Sequence, residues 1–146
     1  MEIRDATVDD LPELANVFRR ASLHNEADRA VLLAHPEALD YSDEWVVRGL
    51  TRVAVVDGRV GGFATVVPLD GHGELEDLFV APELMRRGIA RALIADAVDR
   101  ARTRGETRID VTANEHAAAF YAAVGFAETG IAPTEFGPAP RRSRSL

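Results

Sequence analysis

Apolar residues recur along this chain with two different periods, and each change of period marks a new element. A period near 3.6 predicts helices at about Asp10–Ser22, Glu26–Ala34, Arg87–Arg104 and Asn114–Val124. A period of two, rich in β-branched residues, predicts strands at Glu2–Ala6, Arg52–Val56, Arg59–Val67, Glu74–Val80 and Arg108–Thr112, with two short strands after Gly125. Residues 37–49 are loop-like, with space for one helical turn. At the start of the first helix, Asp10 and Glu13 are expected to form a capping box.

These elements predict an α/β fold, or α+β by stricter usage, that forms a single domain over residues 1–146. Their order is β-α-α-β-β-β-α-β-α-β-β. The dipeptide Asp57-Gly58 between two strands is a strong hairpin signal, so the middle strands form a meander. A β-α-β crossover follows, and the two together predict a mixed, mostly antiparallel central sheet of about 6-7 strands with helices on both faces.

The composition excludes several kinds of chemistry. The 146 residues include no cysteine, which rules out disulfide scaffolds, thiolate nucleophiles and cysteine-ligated metals. All 17 basic residues are arginine, so a Walker-type phosphate loop, a pyridoxal Schiff base and a lysine general base are also excluded. The histidines, at positions 24, 35, 72 and 116, match no metal-ligand spacing, and no metal is expected.

The charge and the terminal sequence bear on partners and location. A net charge of −7 argues against nonspecific binding to nucleic acid or to an anionic membrane. The first residues, Met1–Asp5, lack the basic and apolar regions of a signal peptide, and no apolar run approaches the roughly 20 residues that span a bilayer. We therefore expect a soluble cytoplasmic protein with no nucleic-acid partner and no membrane partner.

The segment from Leu78 to Leu93 is the first candidate for binding chemistry. An apolar strand leads through a proline-containing turn into a helix whose start has two small residues, Gly88 and Ala90. A helix N-terminus presents unpaired N–H groups, and the arginines at positions 86, 87 and 91 add positive charge around it. This arrangement favours a pyrophosphate site. On these residues alone, a helix start with a solvated basic turn explains the pattern equally well.

The residues from Asn114 to Phe126 form the second candidate. A cap-forming asparagine directly follows a strand, and Ala117, Tyr121 and Val124 share one face of the predicted helix. Gly125 then ends the helix. Taken alone, the two aromatic residues of this helix are more simply explained as core residues.

Together and in this order, the two segments resemble the GNAT superfamily of acyl-CoA-dependent N-acyltransferases. The first resembles the family's acetyl-CoA signature, Arg/Gln-x-x-Gly-x-Gly/Ala, in which Gly88 and Ala90 match whereas Met85 replaces the usual Arg or Gln. The second matches the later pattern Asn-x-x-Ala-x-x-Phe-Tyr-x-x-x-Gly-Phe at positions 114, 117, 120, 121, 125 and 126. The element order is also that of the family, so the resemblance covers essentially the whole chain.

The resemblance implies that acetyl-CoA is the cosubstrate. In GNAT proteins the fourth and fifth strands splay apart and hold the pantetheine arm, so backbone groups of Leu78, Phe79 and Val80 would pair with the arm like an added strand. A backbone N–H near Val80 would polarise the thioester carbonyl. The remaining contacts would come from the amides of Arg86, Arg87, Gly88, Ile89 and Ala90 to the pyrophosphate, from the charge of Arg91, and from Asn114 to the pantetheine arm.

The reaction that the resemblance implies is direct attack of a primary amine on the acetyl thioester, without an acyl-enzyme intermediate. Tyr121 occupies the position that the family commonly uses as general acid for the departing thiolate. The same resemblance places Tyr41, Trp45 and Phe136 at the acceptor pocket, although core packing explains Trp45 equally well.

The general base is left open by the sequence. The first candidate is Glu76, which would act on the amine through a water relay. The second candidate is Asp110 on the next strand. The third possibility is a reaction that uses no protein base. Strict strand alternation puts Glu76 on the same face as Val80 and puts Asp77 and Phe79 on the opposite face.

The predicted function is therefore an acetyl-CoA-dependent N-acetyltransferase whose acceptor is a small amine or a peptide or protein amine. The alternative is a non-catalytic acyl-CoA-binding sensor or regulatory module of the same fold. The acidic charge disfavours a toxin-like enzyme that acts on charged tRNA. The meander before the glycine motif disfavours a doubly wound nucleotide-binding fold. Homodimers are common in the family, so the resemblance leaves a homodimer open.

Overall fold

The computed structural model describes residues 1–146, and its seven strands form one sheet in the order β1-β2-β3-β4-β5-β7-β6. The strands are β1 (Glu2–Asp5), β2 (Thr51–Val56), β3 (Arg59–Leu69), β4 (His72–Val80), β5 (Arg108–Thr112), β6 (Ala127–Thr134) and β7 (Gly137–Ser145). The helices are α1 (Leu11–His24), α2 (Glu26–Ala34), α3 (Glu44–Val47), α4 (Ile89–Thr103) and α5 (Ala118–Ala123). The β4–β5 pair is parallel, whereas β1–β2, β2–β3, β5–β7 and β6–β7 are antiparallel. The predicted mixed sheet is confirmed.

Most predicted elements lie within two residues of the observed ones, and the differences have local causes. Helix α4 begins at Ile89 instead of Arg87, because Gly88 has φ +80° and cannot belong to a right-handed helix. The helix predicted at Asn114–Val124 is divided into a 3₁₀ turn, Glu115–Ala117, and the short α5. Tightened turns of this kind are common where helices begin.

The predicted capping box at the start of α1 is wrong in its residues. Asp10 pairs with Thr7, whose backbone N–H donates to Oδ2 of Asp10 at 2.8 Å. Glu13 instead accepts a 2.7 Å hydrogen bond from the backbone N–H of Val60 on β3. A 3₁₀ turn at Val8–Asp10 precedes α1 and moves the capped end one turn toward the N-terminus.

Contacts within the chain group it into two compact units, the first made of 1–65 and 77–93 and the second of 66–76 and 94–146. In the first unit, the fully buried Phe63 of β3 packs in a core with Leu14 and Val17 of α1. The preceding residue, Gly62, faces the side chain of Ile89 on α4. Successive strand residues point to opposite faces, so α1 and the first residue of α4 lie on opposite faces of β3, and the prediction of helices on both faces is confirmed.

The second unit is built around Ile109 of β5, which is fully buried. Gly73 of β4 lies opposite Ile109, and a Cβ atom there would stand 2.7 Å from the Val66 side chain. Strand β5 pairs on its other side with β7, from Arg108 opposite Ser145. None of the helices in either unit is long and apolar enough to cross a bilayer.

Candidate functional site

The turn between β4 and α4, in the first unit, contains two residues with left-handed backbone conformations. Arg86 has φ +64° and Gly88 has φ +80°, so the chain turns sharply just before α4 begins at Ile89. The first N–H groups of a helix have no partner within it and point out along its axis. A Cβ atom on Gly88 would meet no protein atom within 4 Å. Glycine is therefore required here by the backbone conformation, and the space in front of the helix amides stays open.

Positive charge surrounds this turn. Arg86, Arg87 and Arg91 are all exposed, and Gly88 between them leaves the backbone accessible. Glu83, earlier in the same turn, is held by Arg20 of α1 through an ion pair of 2.6 Å. The arginines and the helix dipole act in the same direction, so the turn can bind a dianionic or trianionic phosphate group.

The end of β4 leaves part of its backbone without a partner in β5. The parallel ladder between the two strands covers Gly73–Leu75 of β4 and stops there. On the β3 side, the ladder is continued past the end of β4 by a 2.9 Å hydrogen bond from the N–H of Ala81 to the carbonyl of Gly61. The residues Leu78–Val80 can therefore accept an extended ligand along the edge that faces away from β3.

Tyr121 is a buried residue of the second unit, 6% exposed. Its ring packs edge-on against Phe120 and Phe126, with centroid distances of 5.2 Å and 5.3 Å. Burial raises the pKa of Tyr121 to about 12, although the positive charge of Arg142 opposes that effect. The phenol consequently stays protonated at neutral pH, as a proton donor must.

Asn114 precedes the turn that leads into α5. Its backbone carbonyl accepts a hydrogen bond from Ala117, but its side chain makes no capping hydrogen bond. The predicted use of this side chain as a cap is therefore wrong. The amide is exposed and lies in the second unit together with Tyr121.

The carboxylates of β4 and β5 differ sharply in their surroundings. Asp110 of β5 is buried, which by itself raises its pKa, but hydrogen bonds from Ser143 and Arg108 outweigh the burial and hold the pKa below the usual range. The Arg141 guanidinium donates to Glu74 at 2.6 Å and to Asp110 at 3.4 Å. Arginines therefore neutralise both carboxylates, and the lowered pKa of Asp110 makes that group a poor proton acceptor.

His72 joins the same pair of carboxylates. The ligand-forming atoms of His72, Glu74 and Asp110 all lie within 4.8 Å of one another, a grouping that the sequence did not reveal. Because 38 residues separate His72 from Asp110, no local spacing could have indicated it. Arg141 already donates to both carboxylates, so the cluster has the composition of an ion-pair network.

Glu76 and Asp77 are neighbours on β4 with different exposures. The regular alternation of buried residues ends at Glu76, which is exposed, while Asp77 is partly buried and accepts a hydrogen bond from the hydroxyl of Tyr41 at 2.9 Å. The expectation that Asp77 shares a face with Phe79 agrees with the contacts, because both residues adjoin one aromatic cluster of the first unit. Sequence reasoning gave Asp77 no role.

This chain is similar to a known protein family over most of its length. A model of the acetyltransferase (GNAT) family matches residues 11–126. No curated protein matches the chain by sequence.

Solved structures share the fold over nearly the whole chain. The PaiA N-acetyltransferase from Thermoplasma acidophilum, in complex with coenzyme A, matches with a TM-score of 0.80 at 19% identity, covering 99% of this chain and 98% of that one. The ribosomal-protein-alanine N-acetyltransferase from Brucella melitensis matches with a TM-score of 0.74 at 24% identity, covering 100% of both chains. An aminoglycoside 6'-N-acetyltransferase complexed with coenzyme A matches with a TM-score of 0.74 at 18% identity, covering 99% of this chain and 97% of that one.

Proposed function

We propose that this chain, which belongs to the acetyltransferase (GNAT) family, transfers an acetyl group from acetyl-CoA to a primary amine in a ternary complex. The observation that carries the proposal is the turn at Arg86–Gly88, where two left-handed residues precede the open N-terminus of α4. The acceptor is a small amine or an amine of a peptide or protein. Residues 1–146 act as one cytoplasmic domain in this proposal.

The cofactor would be bound by the β4–α4 segment. The amides from Arg86 to Ala90 hold the pyrophosphate, and the guanidinium groups of Arg86, Arg87 and Arg91 neutralise its charge. Backbone groups of Leu78–Val80 pair with the pantetheine arm, for which the absence of a β5 ladder beyond Leu75 leaves hydrogen-bonding groups available. Met85 at the signature position does not weaken this interaction, since the pyrophosphate is bound by backbone amides.

The reaction would proceed by direct attack. The neutral amine nitrogen forms a bond to the thioester carbonyl carbon, the C–S bond breaks, and coenzyme A leaves as a thiolate. The nitrogen releases one further proton to water as the amide forms, which balances the proton that the thiolate takes up. A backbone N–H near Val80 stabilises the oxyanion that develops on the carbonyl oxygen. Asn114 orients the pantetheine arm, and Tyr121 supplies a proton or a strong hydrogen bond to the thiolate. The raised pKa of Tyr121 supports that role, because the phenol stays protonated at neutral pH.

The attacking amine arrives as an ammonium and must lose a proton. We assign this step to Glu76, acting through a water molecule, because Glu76 is exposed to solvent. Asp110 is the poorer candidate, since its lowered pKa and its arginine partners reduce its affinity for a proton. Transfer to solvent without a protein base remains the alternative.

Calorimetric titration with acetyl-CoA, coenzyme A and ATP tests the cofactor assignment first. Saturable binding of acetyl-CoA and coenzyme A, with much weaker binding of ATP, supports it, whereas no binding at millimolar ligand contradicts it. Thiol release with a panel of primary amines then tests turnover. Loss of turnover in Tyr121→Phe and Glu76→Gln, with acetyl-CoA binding retained, supports the catalytic roles. Binding without turnover for any amine would instead identify a non-catalytic acyl-CoA sensor.

A further inference from the structure

Asp77 is a carboxylate that the proposed reaction does not use. It lies on β4 in the first unit and is partly buried, and burial raises its pKa despite hydrogen bonds from Thr65 and Tyr41. Both donors are neutral hydroxyl groups, so neither compensates the negative charge. The hydroxyl of Thr65 is itself fixed by a 2.8 Å hydrogen bond to that of Thr51, a fully buried pair. A carboxylate is thus held rigidly in a position where its charge lacks a counter-ion.

Tyr41, whose hydroxyl donates to this carboxylate, belongs to a cluster of aromatic rings. Phe18, Tyr41, Phe63 and Phe79 form a chain of ring contacts with centroid distances of 5.0–5.5 Å. Phe63 is fully buried, whereas Phe18, Tyr41 and Phe79 are partly exposed. Ring faces carry partial negative charge and attract cations, most strongly where water is partly excluded.

A carboxylate combined with aromatic faces recognises a positively charged nitrogen. An anion would be repelled by both, and a divalent metal would need more oxygen or nitrogen ligands than this cluster offers. An ammonium or guanidinium group gains an ion pair with Asp77 and a cation–π contact with the partly exposed rings. The ligand class that fits is therefore an organic cation.

The cation at Asp77 differs from the nitrogen that attacks the thioester. A carboxylate that pairs with an ammonium favours its charged form and raises its pKa, whereas the attacking amine must be neutral. Asp77 also precedes Val80 by three residues, about 10 Å along the strand. A molecule with two amino groups can place one at each end of this interval.

We propose that Asp77, with Tyr41 and the partly exposed rings of Phe18 and Phe79, binds a second, non-reacting cationic group of the acceptor. The acceptor is then a diamine, a longer polyamine or a similar amine with a distant positive charge. This inference rests on the proposed function, because it assigns a substrate class to the same reaction.

Matched amines test the inference. Initial rates at saturating acetyl-CoA are measured with hexylamine and diaminohexane, and with butylamine and diaminobutane. We expect the wild type to show a KM for diaminohexane at least tenfold below that for hexylamine. Asp77→Asn should abolish this preference by raising the KM of the diamine to about that of the monoamine. Equal kinetics for the two amines in the wild type would overturn the inference, as would an equal loss of kcat for both in the variant.

Two further variants separate recognition from folding. Tyr41→Phe keeps the ring and removes the hydroxyl, and we expect a smaller rise in the diamine KM than in Asp77→Asn. Asp57→Asn removes the same charge from the exposed β2–β3 turn, where φ is +51° and asparagine is well tolerated, and it should leave the preference intact. A lost preference in Asp57→Asn would mean that net charge alone causes the effect, which contradicts the inference.

Calorimetry distinguishes failure of this inference from failure of the proposed function. Diaminohexane is titrated into the wild type and Asp77→Asn, each saturated with coenzyme A. Binding to the wild type that is lost in the variant supports the cation site even when no amine is acetylated. Acetylation without any preference for diamines would leave the proposed function standing and would reject the cation site.

Discussion

The hydroxyl of Tyr41 donates a 2.9 Å hydrogen bond to Oδ2 of Asp77, across 36 residues of sequence. The contact joins the segment after α2 to the central strand β4. Both groups are partly removed from water, and the raised pKa of each reflects burial first. A folded protein that keeps a desolvated carboxylate without an arginine partner loses stability by doing so, which makes the site a candidate for function rather than for folding.

Asp77→Asn should stabilise the fold at neutral and mildly alkaline pH. Folding raises the pKa of Asp77 because the folded protein disfavours its ionised form. Below the pKa of the unfolded chain the group is protonated in both states and causes no destabilisation. As the pH rises through the folded-state pKa, the group ionises and the wild type loses stability. Asparagine is neutral throughout and can still accept the hydrogen bond from Tyr41. Urea unfolding from about pH 8 down to about pH 4 should show that the variant is more stable than the wild type at high pH, with the difference narrowing as the pH falls toward the ordinary pKa of a carboxyl group.

The opposite result has a clear meaning. If Asp77→Asn is less stable than the wild type at pH 8, the carboxylate stabilises the fold and the case for a functional cation site weakens. Asp57→Asn, measured in parallel, is the control for the loss of one negative charge at an exposed turn.

Gly88→Ala should weaken the binding of acetyl-CoA, because alanine disfavours the left-handed conformation that aims the amides of α4. Gly105→Ala is a matched control. Gly105 lies just past the other end of the same helix and also has φ +80°. A Cβ atom added at Gly105 would have no other atom within 4 Å. Each variant should lose about 1–2 kcal/mol of stability, but only Gly88→Ala should raise the Kd for acetyl-CoA in calorimetry, roughly tenfold. Equal Kd values for acetyl-CoA in the two variants would show that this turn does not bind the cofactor.

Tyr121→Phe should lower kcat roughly 100-fold without changing the shape of the pH profile below about pH 10. A general acid acts only while protonated, and a pKa of about 12 keeps Tyr121 protonated well above neutrality. The wild type should therefore show no falling limb from this residue between about pH 7 and pH 10. A descending limb in that range that disappears in Tyr121→Phe would mean that the phenol ionises far more readily than its burial implies.

Gly62→Ala should destabilise the protein by about 1–3 kcal/mol. A Cβ atom at this position would stand 2.9 Å from the carbonyl oxygen of Phe79 and 3.1 Å from Ile89, so β4 or the first turn of α4 must shift. Gly130→Ala on the exposed strand β6 meets no atom within 4 Å and is the control. Thermal unfolding should show a lower Tm for Gly62→Ala, whereas the Tm of Gly130→Ala should equal that of the wild type. A Tm unchanged from the wild type would show that β3 can move away from β4 without cost.

Hydrophobic periodicity located the elements because each is amphipathic in its own right. The range of α2 and the range of β5 agree with prediction residue for residue. Errors occurred where a backbone conformation or a long-range partner decided the outcome. The start of α4 depends on the φ angle of Gly88, and the role of Glu13 depends on Val60, 47 residues away.

The candidate site also has parts that local sequence predicts and parts that depend on long-range contacts. The glycine turn, its arginines and the position of Tyr121 are local features, so the sequence and its family pattern were sufficient to identify them. Leu78–Val80 were identified by resemblance, while the end of the β4–β5 ladder at Leu75 is known only from the pairing register.

By itself, the sequence determined the order of the elements, the mixed sheet and the GNAT membership, because these follow from local periodicity and from motifs of adjacent residues. Only the tertiary structure decided which carboxylates carry compensated charge. Arg141 neutralises Glu74 and Asp110, whereas two neutral hydroxyls hold Asp77. The physical reason is that burial, hydrogen bonding and ion pairing are sums over neighbours brought together by folding, and one-dimensional spacing does not contain them.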